Sequence, residues 1–387
     1  MQKPENWGAL RPRYEQPRPR KLLALDGGGI RGVMSLQILG KLESLLATAS
    51  GHGSSFRLCD YFDYIAGTST GAIIAAGLAR GMSVADLVQF YRDAGEQMFE
   101  KSHLLDRYKN LYKSDPLMVK LQEAFGSYTT LEPDYLRTLL LVVTRNVTTD
   151  SPWPISSNPD ARYNDPNRAD CNLRIPLWQL VRASTAAPVY FPPEVLNWDP
   201  SDPLKKFVFV DGGITPYNNP AFLLYRMATH PAYRLEFPAG ERNLLLVSVG
   251  TGAAAKLGAL PGDADENLVK AVAGLPGALM YAIQVEQDVA CRTVGRCTFG
   301  AKIDRELGDM IPSGTPVSQD LGRAFLYARY NVELSDGALS DLGCGDLNAG
   351  DLSPLDNATP ENIEALIRVG QAAGEQVKLE HLGPFVS

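Results

Sequence analysis

Apolar positions fall along this chain in two rhythms. Short, nearly unbroken runs have the length and continuity of buried strands: Leu22-Leu23-Ala24-Leu25, Tyr64-Ile65-Ala66, Leu139-Leu140-Leu141-Val142-Val143, Phe207-Val208-Phe209-Val210 and Leu244-Leu245-Leu246-Val247-Ser248-Val249. Between them, apolar residues recur at helical spacing. Leu36, Ile38, Leu39, Leu42, Leu45 and Leu46 mark one helix, and residues 84–100 and 116–125 read as two more. Leu177, Leu180, Val181 and Ala183 predict another, with Pro176 at its first turn and Pro188 ending it. A last helix starts at Thr359 as N-cap, with Pro360 and Glu361 in its first turn, and runs to about Leu379. Residues 147–174 read as a long polar loop, and residues 337–350 as a loop without the spacing of a calcium site.

Three of the strands run directly into glycine. The first ends at Asp26 and meets Gly27-Gly28-Gly29-Ile30-Arg31-Gly32, at the junction with a helix N-terminus whose free amides stabilise an anion. The second meets Gly67-Thr68-Ser69-Thr70-Gly71, a G-x-S-x-G pentapeptide followed by the helix-like Ala72-Ile73-Ile74-Ala75-Ala76. This is the pattern of a nucleophile elbow, whose turn is too sharp for anything but small residues on either side of the serine. The third meets Asp211-Gly212-Gly213, an aspartate where open α/β sheets place their chemistry. Beyond it, the strand over residues 244–249 exits into Gly250-Thr251-Gly252.

The first turn has three readings. Gly27, Gly29 and Gly32 formally fit a dinucleotide fingerprint, but the acidic residue expected about 20 residues on is replaced by the polar loop Ser50-Gly51-His52-Gly53. A merely structural turn is the second. The third is an oxyanion hole for Ser69, with amides of the glycine turn as donors and that of Thr70 added, if the first two strands are parallel neighbours. No Walker loop occurs anywhere in the sequence.

Composition narrows the classes. The 387 residues are 45% apolar and carry a net charge of -7, enough for a large core and without the global positive field that draws a protein to nucleic acid. Any contact with lipid or nucleotide is then local. Residues 1–20 are polar and proline-rich, lack the apolar core of a signal peptide and are expected to form an extended arm. Five cysteines without paired metal-ligand spacing indicate neither a disulfide framework nor a metal site, so a reduced, cytoplasmic setting is expected.

Only four histidines are present, and only His230 and His381 follow Asp211 in the order that a Ser-Asp-His hydrolase requires. Neither follows a clear strand. A carboxylate held in a dry pocket can instead take the serine proton directly, which points to Asp211. A triad through one of those histidines, and a nucleotide-binding module built on the glycine turn, remain as alternatives.

The ordered set of Asp26 with its glycine turn, the Ser69 elbow and Asp211-Gly212-Gly213 resembles the patatin-like phospholipases over residues 20–255. That resemblance implies an α/β fold of three layers, with a central, mostly parallel sheet flanked by helices, and a serine lipid acyl hydrolase that needs no metal or organic cofactor. It implies Ser69 as nucleophile, Asp211 as base and Gly27, Gly28 and Gly29 as the oxyanion turn. Arg31, Gly32, Gly67, Gly71, Gly212 and Gly213 support the motifs, and Ala183-Ser184-Thr185-Ala186-Ala187-Pro188 looks like a family segment near the site. The implied layout is an arm over residues 1–20, a catalytic core over 21–255 and a helical and loop extension over 256–387 packed on the same domain. The substrate is then the phospholipid membrane surface, attacked from the cytoplasmic side. The chain is also similar, through residues 146–153 and 353–363 and its length, to the bacterial patatin-like effectors of cyclic-nucleotide anti-phage systems (CBASS). That similarity implies a cyclic-nucleotide activator, and leaves the oligomeric state open.

Overall fold

A computed structural model describes residues 3–99, 116–188, 191–199, 202–253 and 264–386. Their centre is one mixed sheet of strands β1 (Arg20–Leu25), β2 (Tyr64–Thr68), β3 (Leu139–Asn146), β4 (Ser151–Ser156), β5 (Glu194–Asn197), β6 (Lys206–Asp211), β7 (Leu244–Val249), β8 (Arg296–Phe299) and β9 (Leu326–Tyr330). The order is β5-β6-β3-β2-β1-β7-β9-β8, with β4 on β3. Contacts from β3 through β2, β1, β7 and β9 to β8 are parallel, whereas β4, β5 and β6 join antiparallel.

Both faces of the sheet are covered, which is why the strands read as continuous apolar runs rather than alternating ones. Leu23, Leu25, Ile65, Leu140, Val142 and Val247 join one core with residues of the helices Gly32–Ser50, Thr70–Arg80, Val84–Phe99 and Pro360–Gly374. Leu22, Ala24, Tyr64, Ala66, Leu141 and Leu246 join a second core with the helix Ala221–Thr229 and with Trp7, Leu10 and Tyr14.

Several expectations need correction. The N-terminal segment is not an extended arm: it forms a 3-10 helix, Glu5–Leu10, and a short α-helix, Arg11–Glu15, and buries Trp7 fully. It is fastened by Arg13, Arg18 and Arg20, which converge on the buried carboxylate of Asp63. The loop expected over 147–174 contains β4, and that over 337–350 contains parts of two short helices, Asp336–Asp341 and Ala349–Leu352. The extension over 256–387 adds two strands, β8 and β9, to the central sheet. The helix expected over 84–100 is described to Phe99. The last helix is Pro360–Gly374, capped by the Thr359 hydroxyl accepting from the Asn362 amide at 3.3 Å, and a 3-10 segment, Leu379–Val386, follows it. Among the described residues, no helix is long and apolar enough to cross a membrane.

Candidate active site

The strand register brings the elbow and the aspartate together. Thr68, the last residue of β2, pairs with Val143 of β3, and Asp211, the last residue of β6, pairs with the next residue, Thr144. The other edge of β3 is taken by β4 over the same stretch. Hence β2 and β6 run toward one another along one side of β3 and end tip to tip. Ser69 and Asp211 occupy the gap, and the Ser69 Oγ donates to Asp211 Oδ2 at 2.6 Å.

The elbow is sterically closed. Ser69 has φ 54° and ψ −124°, a strained conformation for a residue with a side chain. A Cβ on Gly67 would stand 2.0 Å from the Gly71 carbonyl oxygen, and one on Gly71 would stand 2.3 Å from that of Leu25, so neither position admits another residue. Ser184 pins the strained residue: its Oγ accepts from the Ser69 amide at 2.9 Å and donates to the Val143 carbonyl at 2.7 Å. Thr70 starts the helix Thr70–Arg80, and its hydroxyl is hydrogen-bonded to the Tyr91 hydroxyl.

Asp211 is 5% exposed, and burial pushes its carboxyl up to about 6, opposed by the hydrogen bonds from Ser69 and the Gly213 amide and by the charge of Arg182. The Gly213 amide donates to Oδ1 at 2.6 Å. Each carboxylate oxygen therefore has one fixed donor, and Oδ2 faces the nucleophile. Gly212 lies against β3, where a Cβ would stand 2.3 Å from the Val143 oxygen.

The glycine turn lies beside the elbow: a Cβ on Gly27 would stand 3.2 Å from that of Ser69. Here one expected role fails. The Gly27 amide donates to the Asn218 carbonyl at 3.0 Å, so it does not point at a substrate. The amides of Gly28, Gly29 and Thr70 have no acceptor among the described residues. The Cβ sides of Gly28 and Gly29 are filled by the protein itself. Thr251 Oγ1 would be 2.0 Å from a Gly28 Cβ, and the Leu355 carbonyl would be 2.1 Å from a Gly29 Cβ, where φ is also positive. The same Leu355 oxygen accepts from the Ile30 amide at 3.0 Å. Gly32 abuts the Thr70 hydroxyl.

Asp26 does not cap this turn. Arg329 of β9 grips it through two hydrogen bonds, 2.8 and 2.5 Å, both partners buried. Arg31 is buried, and desolvation lowers it to about 10, offset in part by Asp26. Its Nε has no acceptor among the described residues.

The two histidines lie elsewhere. His230 Nδ1 accepts from the Ala232 amide at 3.2 Å, and His381 Nδ1 is bonded to the Tyr330 hydroxyl at 2.9 Å and its ring stacks on Phe299. Neither bonds to Ser69 or Asp211. A cleft of about 430 Å³ beside Glu241, Arg242 and Asp320 lies where β7 begins, at the opposite end of the strands. Sequence patterns alone left out Asn218, Tyr91 and Arg329. The pair Asn218-Asn219 before Pro220, shortly after Asp211-Gly212-Gly213, was the available signal for the first.

Residues 23–225 match the family model described as patatin-like phospholipase. A cGAMP-activated phospholipase of Escherichia coli is 30% identical over 244 residues, covering 61% of this chain and 63% of its own length. Patatin-17 of Solanum cardiophyllum is 32% identical over 246 residues, covering 60% of each. The alignments thus span less than two thirds of either relative. A solved structure of human GIVD cytosolic phospholipase A2 aligns with 98% of this chain and 65% of its own at 12% identity and a TM-score of 0.45. With the family model spanning more than half of its length, over the glycine turn, the elbow and Asp211 together, this chain belongs to the patatin-like phospholipase family.

Proposed function

We propose that the chain hydrolyses fatty-acyl esters of membrane glycerophospholipids through a Ser69–Asp211 dyad. The observation that carries this reading is the 2.6 Å bond from Ser69 Oγ to a carboxylate raised by burial to about 6, a base matched to neutral pH. Asp211 accepts the Ser69 proton as Oγ attacks the ester carbonyl. Negative charge then builds on the carbonyl oxygen, and the free amides of Gly28, Gly29 and Thr70 are the donors for it, each worth roughly 3 kcal/mol of barrier. Asp211 returns the proton to the leaving lyso-lipid. Water activated by the same carboxylate then releases the fatty acid from the acyl-enzyme.

The catalytic unit in this reading is residues 21–255, with 256–387 packed on it, acting at the cytoplasmic membrane surface. The named similarity to a cGAMP-activated phospholipase supports a finer reading, in which a cyclic nucleotide switches the enzyme on in anti-phage defence. The test is fatty-acid release from mixed phospholipid vesicles by wild type, Ser69→Ala and Asp211→Asn, with and without a panel of cyclic di- and trinucleotides. Release by wild type and by neither variant supports the dyad, and release only with one nucleotide supports the switch. Undiminished release by Ser69→Ala would sink the mechanism.

A further inference from the structure

Asn218 is fully buried between the two halves of the site, and the proposed acylation step does not use it. Its backbone carbonyl accepts from the Gly27 amide at 3.0 Å, and its Nδ2 donates to the Gly27 carbonyl at 3.4 Å. That second bond orients the amide: the carbonyl of Gly27 repels an oxygen, so Nδ2 takes that carbonyl and Oδ1 lies on the Cβ side of Gly27, the side that also meets the Ser69 Cβ. The Oδ1 is buried, with no protein donor among the described residues, and it borders the same bare glycine Cβ positions as Asp211 and Ser69 do. The Cβ position of Gly213 lies 2.9 Å from Asn218 Oδ1 and 3.0 Å from Asp211 Oδ1, and the Cβ position of Gly27 lies 2.3 Å from Asn218 Oδ1 and 3.2 Å from the Ser69 Cβ. A buried carbonyl oxygen without a donor is costly, and one kept beside a nucleophile and its base calls for a reason.

We propose that Asn218 positions the water that hydrolyses the acyl-enzyme. This inference rests on the Ser69–Asp211 reading and concerns its second half only. Once the lyso-lipid has left, a water enters beside Asp211 and donates one hydrogen to Asn218 Oδ1 and the other toward the Asp211 carboxylate. Its oxygen attacks the ester carbon on Ser69 as Asp211 takes the proton. The tetrahedral intermediate collapses, the bond from carbon to Ser69 Oγ breaks, and Oγ recovers the proton from Asp211. Asn218 is unchanged. Acylation needs no water, so it does not need this oxygen.

The experiment is burst kinetics of wild type and Asn218→Ala with a soluble p-nitrophenyl ester. The burst counts competent sites, so turnover per burst site does not depend on how much of the variant folds. Expected is a burst rate within about threefold of wild type and a steady-state rate lower by about 10- to 100-fold, the loss of one transition-state hydrogen bond. Added hydroxylamine, a stronger nucleophile, restores turnover in the variant more than in wild type, and the acyl-enzyme accumulates by mass spectrometry. If Asn218→Ala gives no burst, Asn218→Ser, which keeps a short acceptor, is measured in the same way. Equal slowing of both phases, or turnover per site unchanged, overturns the inference and leaves the dyad standing. Wild-type turnover with no acyl group ever found on Ser69 by mass spectrometry removes the dyad and this inference with it.

Discussion

Replacing Asp211 by asparagine separates what the site gives to chemistry from what it takes from stability. The carboxyl is held at about 6 against an ordinary 3.8, chiefly by desolvation. Because the folded-state value lies above the unfolded one, the folded protein binds this proton more tightly than the unfolded chain does. The ionised group therefore costs folding free energy, fully above about pH 6, and the cost vanishes as pH falls toward 3.8. The gap corresponds to about 3 kcal/mol. An asparagine has the same shape, still accepts from the Gly213 amide and faces Ser69 with a donor that the hydroxyl accepts, so it removes the charge at little packing cost. Asp211→Asn should therefore melt about 4 °C higher than wild type at pH 8, and the difference should close between pH 6 and pH 4. Activity on a soluble ester should drop by about 10²- to 10⁴-fold. In the wild type, the acid limb of kcat/KM should fall with an apparent pKa of about 6. Calorimetry across that range and a pH–rate profile read both sides. A variant that is no more stable at pH 8, or whose advantage persists at pH 4, would refute the claim that burial sets this carboxyl.

Two further outcomes follow from the packing. Gly28→Ala places a Cβ 2.0 Å from Thr251 Oγ1, so the turn must shift, and kcat on a soluble ester should fall by about 10²-fold or more with little change in KM. Arg329→Leu strands the buried Asp26 without its partner, and chemical denaturation should show a loss of about 3–5 kcal/mol, relieved by adding Asp26→Asn.

The parts of this molecule that were legible in sequence are those in which a local rule decides. Strands β1, β2, β3 and β7 announced themselves because both sheet faces are buried there, whereas β5, β8 and β9 did not, and the elbow did because sharp turns exclude side chains. The parts that were hidden depend on partners far along the chain. β4 reads Ser-Pro-Trp-Pro-Ile-Ser, which looks like a loop, yet Pro152 and Pro154 pair with Arg145 and Val143 on an edge strand, where a missing outward amide breaks no ladder. The N-terminal segment hides Trp7, Leu10 and Tyr14 in a polar, proline-rich context, and Asp63, far along the chain in the bend before β2, is what Arg13, Arg18 and Arg20 are there to meet. The three glycines of the first turn look equivalent until Asn218 takes the amide of one of them.

The dyad itself shows where the limit falls. Ser69 and Asp211 are each predictable, as a residue in a sharp turn and as one at a strand end, but their meeting depends on the register of β6 against β3. Sliding β6 by one residue would move Asp211 by about 3.3 Å along the strand and turn its side chain to the opposite face of the sheet, far outside a 2.6 Å hydrogen bond. Nothing in the pentapeptide or in Asp211-Gly212-Gly213 fixes that register. It is set by the Thr144–Asp211, Arg145–Val210 and Asn146–Phe209 pairs and by the burial of Phe209 among Trp153 and Trp198. Those aromatic rings, which touch neither Ser69 nor Asp211 in any hydrogen bond, are therefore what holds the base at the distance its chemistry requires.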